Sequence, residues 1–191
     1  MDADPKLFVI SGPSGAGKGT LVAELLKRVP SISRAVTVTT RPPRRGERNG
    51  VDYYFVTKEE FDKGRERGDF LEWALVHGNY YGTPRAEVEK KLKEGYDVVL
   101  VIDVQGAARV KEKMPESYLI FIKPPSVEEL IKRLQLRKTE TEQEVSRRIA
   151  RARAEMALAK KYDYVVINDE VNRAATELAD VVERVRKREK R

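Results

Sequence analysis

The sequence predicts an α/β fold of three layers: a parallel sheet flanked by helices on both faces, interrupted by an inserted antiparallel α+β segment. Three observations carry that reading. An apolar run, a glycine-rich loop and a helix start follow one another over residues 7–26. Four continuous apolar runs recur with helical segments between and after them, as strands buried on both faces of a parallel sheet require. Residues 38–96 break that pattern, being richer in aromatics, glycine and arginine.

The first strand is Leu7-Phe8-Val9-Ile10, and Leu21, Val22, Leu25 and Leu26 follow its loop at helical spacing. A shorter strand near Ala35 to Val38 is expected to join the main sheet. In the inserted segment, Tyr53 to Val56, Phe70 to Val76 and the stretch around Tyr80 to Gly82 read as short antiparallel strands, accompanied by two short helices. Thr57 with Glu60 forms a capping box. Thr83 before Pro84 reads as an N-cap with proline at the first helical position, and Gly95 ends that helix. The main sheet resumes with Val98 to Ile102 and Tyr118 to Ile122, then closes with Tyr164 to Ile167. Ser126 with Glu129 and Thr141 with Glu144 are further capping boxes. Val145, Ile149, Ala152 and Met156 form one apolar stripe, and Ala175, Leu178, Val182 and Val185 another; both read as packing surfaces.

A chain of 191 residues suits one domain. It has no apolar run long enough to cross a membrane and no opening signal-peptide pattern. The absence of cysteine excludes a disulfide framework and a thiolate metal site, and fits a cytoplasmic enzyme. A net charge of +7 suits nucleic acid, and equally a protein that handles two phosphorylated ligands at once. The basic residues from Arg184 to Arg191 read as the solvated end of a helix.

Gly12-Pro13-Ser14-Gly15-Ala16-Gly17-Lys18-Gly19-Thr20 is a phosphate-holding loop, which makes this a P-loop three-layer fold. Its glycines let backbone N–H groups face a phosphate, the helix start adds partial positive charge, and Lys18 brings a point charge to the β- and γ-phosphates. Gly19 stands where a magnesium-holding hydroxyl usually follows the lysine, and the hydroxyl comes one place later at Thr20. A loop ending G-K-G-T resembles that of kinases acting on nucleoside monophosphates. Magnesium is then expected to be held by phosphates and water, near Thr20 and Asp103, with no direct protein ligand assigned. Asp103 ends an apolar run beside this loop, where a carboxylate meets metal-bound water or a ligand.

Thr37-Val38-Thr39-Thr40-Arg41-Pro42-Pro43-Arg44 places two arginines on a proline-stiffened segment, and guanidinium forks suit phosphate oxygens. Asn49-Gly50-Val51-Asp52-Tyr53-Tyr54-Phe55, Phe70-Leu71-Glu72-Trp73-Ala74 and Gly78-Asn79-Tyr80-Tyr81-Gly82-Thr83 follow. These four segments, in this order and spacing, resemble those of the guanylate kinase family, which phosphorylates GMP with ATP. The resemblance runs from the phosphate loop to Val166-Ile167-Asn168-Asp169. It implies a core of residues 1–37, 97–125 and 159–191, a nucleotide-monophosphate-binding subdomain at 38–96, and a short helical lid at 126–158. It implies that Arg41, Arg44, Tyr53 and Tyr81 hold the GMP phosphate, and that Thr37, Glu72, Thr83 and Asp103 read the guanine. The chemistry agrees, because a Glu72 carboxylate accepts from both guanine N1–H and N2–H₂ and would face a lone pair on adenine.

By the same resemblance Arg137 and Arg148 swing onto the transferring phosphoryl group, and Asn168 lies near the adenine of ATP. Lys18, Arg41, Arg137 and Arg148 are thus the expected catalytic residues. Other arginines on the lid helices are expected to face solvent. Two positions depart from the family pattern: Val101 replaces a second acid, and Lys138 replaces a glycine in the lid. His77, the only histidine, and Trp73, expected in the core of the insert, read as structural. The expected ligands are ATP with Mg²⁺ and GMP, with dGMP as a further acceptor; no nucleic acid or membrane is required. Three other readings stay open: a kinase for another monophosphate, a related scaffold domain that binds proteins without turnover, and a basic nucleic-acid-binding protein.

Overall fold

The apolar run that opens the chain becomes the middle strand of a five-stranded sheet. The computed structural model describes residues 4–76, 78–135 and 142–188; the side chains of 133–135, 142–145 and 148 are not described. In chain order the elements are β1 (Leu7–Ser11), α1 (Lys18–Arg28), β2 (Ile32–Arg34), β3 (Thr37–Thr39), β4 (Tyr53–Phe55), α2 (Lys58–Glu66), β5 (Phe70–Val76) and β6 (Asn79–Pro84). Then come α3 (Arg85–Lys93), β7 (Asp97–Val101), α4 (Val104–Lys113), β8 (Tyr118–Lys123), α5 (Val127–Gln135), α6 (Glu142–Ala157), a 3₁₀ turn (Leu158–Lys161), β9 (Tyr164–Ile167) and α7 (Val171–Arg188).

The main sheet is parallel, in the order β2-β7-β1-β8-β9. Alternation along β1 explains why its sequence shows no polar period. Phe8 and Ile10 pack with Leu21, Val22 and Leu25 of α1 and with Leu178 and Val182 of α7. Leu7 and Val9 pack on the other face with Val88 of α3 and Ala107 and Val110 of α4. Both faces are covered, so every residue of the strand is buried. At the edge, β9 departs from expectation: Val166 is buried against the α7 cluster, but Val165 and Ile167 are exposed, because only one face is covered.

The short strand expected at 35–38 splits in two. Ile32–Arg34 pairs with β7 in the main sheet, while Thr37–Thr39 leaves for a second sheet of order β4-β3-β6-β5. That sheet is mixed rather than antiparallel. β3 pairs with β4 in parallel, and the β3–β6 and β5–β6 pairs are antiparallel. The long excursion through residues 40–52 returns the chain to the starting end of β3, as a parallel pair requires.

Inside the second sheet, Phe61 stacks on Phe70 at 4.6 Å and on Tyr80 at 5.2 Å between centroids. Gly82 makes room for them: a Cβ there would meet the Phe70 ring at 2.9 Å and Phe61 at 3.2 Å. Trp73, expected in this core, is only half-buried, with the guanidinium groups of Arg65 and Arg109 at 5.2 and 5.4 Å from its centroid. His77 lies outside the described residues.

The Thr57–Glu60 capping box is complete, and Ser126 accepts from the Glu129 amide at 3.1 Å. Thr83 does not cap α3. Pro84 holds that place and Thr83 stays in β6, because its hydroxyl is committed to a buried carboxylate. Gly95, at φ 86°, closes the helix with its amide on Leu92 O. The Thr141–Glu144 box and Val145 of the stripe lie outside what is described; within that stripe Ala152 is buried. Arg186, expected to be solvated, is anchored instead to Asp97 at 2.8 Å and to Pro30 O at 2.9 Å. Asp97 also accepts from the Lys6 amide at 2.6 Å, so α7 is tied through it to the starting ends of β7 and β1.

Gly82→Ala is expected to lower unfolding stability by about 1–3 kcal/mol by forcing the stacked rings apart. Urea denaturation measures it, and an unchanged midpoint would show that the rings have room to move.

Candidate active site

The phosphate loop hangs on three glycines with positive φ, Gly12 (141°), Gly15 (89°) and Gly17 (85°). Crowding adds to the requirement. A Cβ at Gly12 would lie 2.2 Å from Ile122 O, and one at Gly17 would lie 2.2 Å from Asn168 Nδ2. Gly17 is the N-cap of α1; no side chain caps that helix and no acid occupies its first turn. The first amides of α1 are therefore oriented for an anion, with the helix dipole behind them.

Lys18 Nζ is folded across the loop, donating to Gly12 O at 2.6 Å and Pro13 O at 3.0 Å. Asn168, expected beside adenine, is buried and donates to Ala16 O at 2.8 Å, bracing the loop. Its own amide donates to Lys123 O at 2.8 Å, which fixes the end of β9 to the end of β8. Ser14 is half-buried and Thr20 exposed. A Cβ at Gly19 would meet nothing within 4 Å, so sterics do not explain the glycine there.

The second part of the site lies where the two sheets meet. A register shift between Phe70 and Glu72 turns Glu72 to face Thr83 across the β5–β6 pair. Glu72 is 3% exposed, and its Oε1 accepts from Thr83 Oγ1 at 2.6 Å. Burial pushes the Glu72 carboxyl up to about 7; Asp103 adds to the rise, while Thr83, Arg109 and Lys113 oppose it. Arg109 donates to Trp73 O and Lys113 to Leu71 O at 2.6 Å, so both cations are held against the Glu72 strand.

Asp103 comes from the main sheet, at the end of β7, and caps α4 by accepting from the Gly106 amide at 2.8 Å. A Cβ on Gly106 would lie 2.5 Å from Glu72 Oε2 and 3.3 Å from Asp103 Oδ1; the two carboxylates converge there only because the residue is glycine. Asp103 Oδ2 is buried with no hydrogen-bond partner among the described residues. Thr37, also buried, sits at the start of β3. Converging acceptors with unused capacity form a site for a ligand edge that carries donors.

The third part is the excursion between β3 and β4. Arg41 Nη2 lies 2.9 Å from both carboxylate oxygens of Glu47, and Nη1 donates to Pro42 O at 2.7 Å. Its guanidinium is 5.4 Å from the centroid of Tyr53, whose ring meets Tyr81 edge-on at 6.0 Å. Arg41, Tyr53 and Tyr81 are thus brought together, with Arg44 exposed on the rim. Burial raises the Tyr53 phenol, and the charge of Arg34 opposes the rise.

Sequence reasoning missed four residues. Glu47 follows Arg44 by three places and holds Arg41, a pairing with no periodic signal. Arg34 reaches the same region from β2, its Nε buried without a partner among the described residues. Arg151, expected to face solvent, bridges Glu155 at 2.8 Å and Asp103 at 3.6 Å, linking α6 to the acidic site. Their i,i+4 spacing was the available signal for Arg151 and Glu155. Arg137 lies outside the described residues, as does the side chain of Arg148. No cluster of three or more His, Cys, Asp or Glu side chains suited to a metal occurs among the described residues, and none of their helices is long and apolar enough to cross a membrane.

Comparison with known proteins agrees with this geometry. A family profile described as guanylate kinase matches residues 4–185. The chain is 50% identical over 176 residues to the guanylate kinase of Caldanaerobacter subterraneus subsp. tengcongensis, covering 92% of this chain and 85% of that one. It is 47% identical to the guanylate kinase of Clostridioides difficile, covering 92% and 86%. Among solved structures it resembles the guanylate kinase of Anaplasma phagocytophilum, with a TM-score of 0.80, 34% identity, and coverage of 97% and 87%. A shikimate kinase from Bacteroides thetaiotaomicron, 17% identical with a TM-score of 0.52 over 93% of this chain and 98% of that one, shares the fold alone. A phosphate loop on a parallel sheet, a buried Glu72 converging with Asp103 at the seam with a second sheet, and this extent of identity together show that the chain belongs to the guanylate kinase family.

Proposed function

We propose that the chain transfers the γ-phosphoryl group of ATP to GMP, giving ADP and GDP within purine nucleotide metabolism. The observation that carries the choice of acceptor is the meeting of Glu72, Thr83 and Asp103 over Gly106. Guanine N1–H and N2–H₂ match those acceptors, and adenine N1 does not. In this reading Thr37 completes the base site, while Arg41, Arg44, Tyr53 and Tyr81 take the phosphate. ATP lies along Gly12 to Thr20 with Asn168 behind the loop.

A phosphate oxygen of GMP attacks the γ-phosphorus in line, and the bond to the β–γ bridging oxygen breaks, leaving on ADP. The acceptor is already an anion, so no side-chain nucleophile or base is needed. What the protein supplies is positive charge and position. Lys18 exchanges the carbonyls of Gly12 and Pro13 for phosphate oxygens; Arg41, and Arg137 and Arg148 from the lid, neutralise charge on the transferring group. Thr20 and Asp103 are the hard oxygen donors that, with phosphates and water, would hold a magnesium ion in this reading. When bound, the metal would supply positive charge to the phosphates.

Residues 38–96 then act as the acceptor subdomain and 126–158 as a lid, which close over 1–37, 97–125 and 159–191 to exclude water. In this reading dGMP is a further acceptor. The proposed compartment is the cytoplasm, where both nucleotides are available.

Lys18→Ala is expected to abolish turnover mainly through kcat; steady-state rates near those of the unmodified protein would remove Lys18 from the mechanism. Glu72→Gln is expected to raise the KM for GMP by about 10- to 100-fold and leave ATP affinity unchanged. Separate titrations read this, and equal losses for both nucleotides would count against base reading. Glu72 also sets a pH dependence. Its carboxyl rises from 4.5 to about 7 on folding, so the folded state binds the extra proton and stability falls as pH rises through that window. Thermal melts at pH 5 and pH 8 are expected to show Glu72→Gln gaining stability over the parent only at the higher pH. Identical differences at both pH values would mean that the carboxyl is not perturbed.

A further inference from the structure

We propose that Arg151 of α6 is a positioning residue: it fixes the plane of the Asp103 carboxylate from the lid side and so sets how tightly the acceptor's base is held. The inference rests on the reading that Asp103 takes part in reading guanine. Asp103 stands just beyond β7 and is anchored there through one oxygen. Its Oδ1 accepts from the Gly106 amide at 2.8 Å, while Oδ2 is buried with no hydrogen-bond partner among the described residues. The terminal torsion of an aspartate is broad, so a bond to one oxygen leaves the carboxylate free to turn. Arg151 Nη2 lies 3.6 Å from Oδ2, too far for a hydrogen bond but close enough for charge attraction to favour one orientation.

Arg151 is itself aimed. Its Nε donates to Glu155 Oε1 at 2.8 Å, one turn further along the helix, and this holds the guanidinium with Nη2 toward Asp103. This face of α6 is turned inward: the Glu155 side chain is 12% exposed, and Ala152, next to Arg151, is buried with Leu130 of α5. Tyr162, just after the 3₁₀ turn, senses the same acids. Burial pushes its phenol up to about 12; Ser11 opposes the rise, and Asp103 and Glu155 add to it. Its ring meets Phe121 edge-on at 5.0 Å, and Phe121 is the register partner of Ser11, so this acidic neighbourhood reaches the end of β1. The cations beside Glu72 are committed elsewhere, Arg109 to Trp73 O and Lys113 to Leu71 O. Arg151 therefore brings positive charge to a place where negative groups gather. Through it α6 is linked to Asp103, and Asp103 converges with Glu72 over Gly106. In this reading Arg151 touches neither base nor phosphate; it acts through Asp103.

The test uses the full chain and steady-state rates with GMP and ATP varied separately, in Arg151→Gln, Asp103→Asn and the double variant. Arg151→Gln keeps a good helix former and removes the charge. It is expected to raise the KM for GMP about 3- to 10-fold and leave kcat and the KM for ATP within about twofold. An unchanged KM for GMP, or equal losses in kcat and in the KM for ATP as general damage to α6 would give, would overturn the proposal. In the Asp103→Asn background the same substitution is expected to add nothing to the KM for GMP, and an undiminished effect there would show that Arg151 does not act through Asp103. Asp103→Asn alone separates the proposal from its premise. A KM for GMP unaffected by Asp103→Asn would overturn base reading by Asp103, while a raised value there with none in Arg151→Gln would overturn only the role of Arg151.

Discussion

A carboxylate buried to 3% exposure, accepting from the Thr83 hydroxyl, is the constraint around which the two sheets are arranged. Glu72 costs stability where it sits, as its raised proton affinity shows. The fold accommodates it by drawing on both sheets. Thr83 comes from the neighbouring strand, and Asp103 and Gly106 come from the end of β7 and the start of α4. Leu71, one residue before Glu72, packs into the cluster of Leu7, Val9, Ala107 and Val110. The apolar contact that docks the second sheet is thus covalently next to the acid it positions. Since β7 lies beside β1, the acid site and the phosphate loop open at the same end of the main sheet.

Three cations of the site are held by internal partners. Lys18 rests on loop carbonyls, Arg41 on Glu47, and Arg151 between Asp103 and Glu155. A net charge of +7 therefore does not translate into a bare positive cleft. Binding becomes an exchange of partners in surroundings that already hold each group near its working position, so less ordering remains to be done. The same logic separates two kinds of glycine. Gly12 and Gly17 permit a backbone conformation, whereas Gly82 and Gly106, with no positive φ, are required by what lies beside them.

Much of this was legible before the structure. Strands buried on both faces announce themselves as unbroken apolar runs, and the loop glycines and the Thr57–Glu60 box are local signals. The failures are all non-local. Thr37-Val38-Thr39 carries no mark that says which sheet it joins, and the parallel pairing of β3 with β4 depends on a loop path rather than on residue type. Thr83 before Pro84 has the local form of a cap, but a buried carboxylate from another strand claims its hydroxyl. Asn168 was placed near adenine by resemblance and Arg186 read as solvated, and each is fixed by a carbonyl or carboxylate far away in sequence. Trp73 was assigned to a core by its type alone, and two arginines take the place of the core around it. Glu47 was invisible for the same reason, being defined by the charge it faces, whereas Arg151 showed only its i,i+4 spacing to Glu155 and not its approach to Asp103.

The measurement that bears most directly on the account is ADP release from ATP when GMP, AMP, CMP and UMP are offered separately with magnesium. If Glu72 and Asp103 read guanine, kcat/KM for GMP exceeds that for AMP by a factor on the order of 10⁴. Comparable turnover of AMP, or no turnover of GMP, would contradict it.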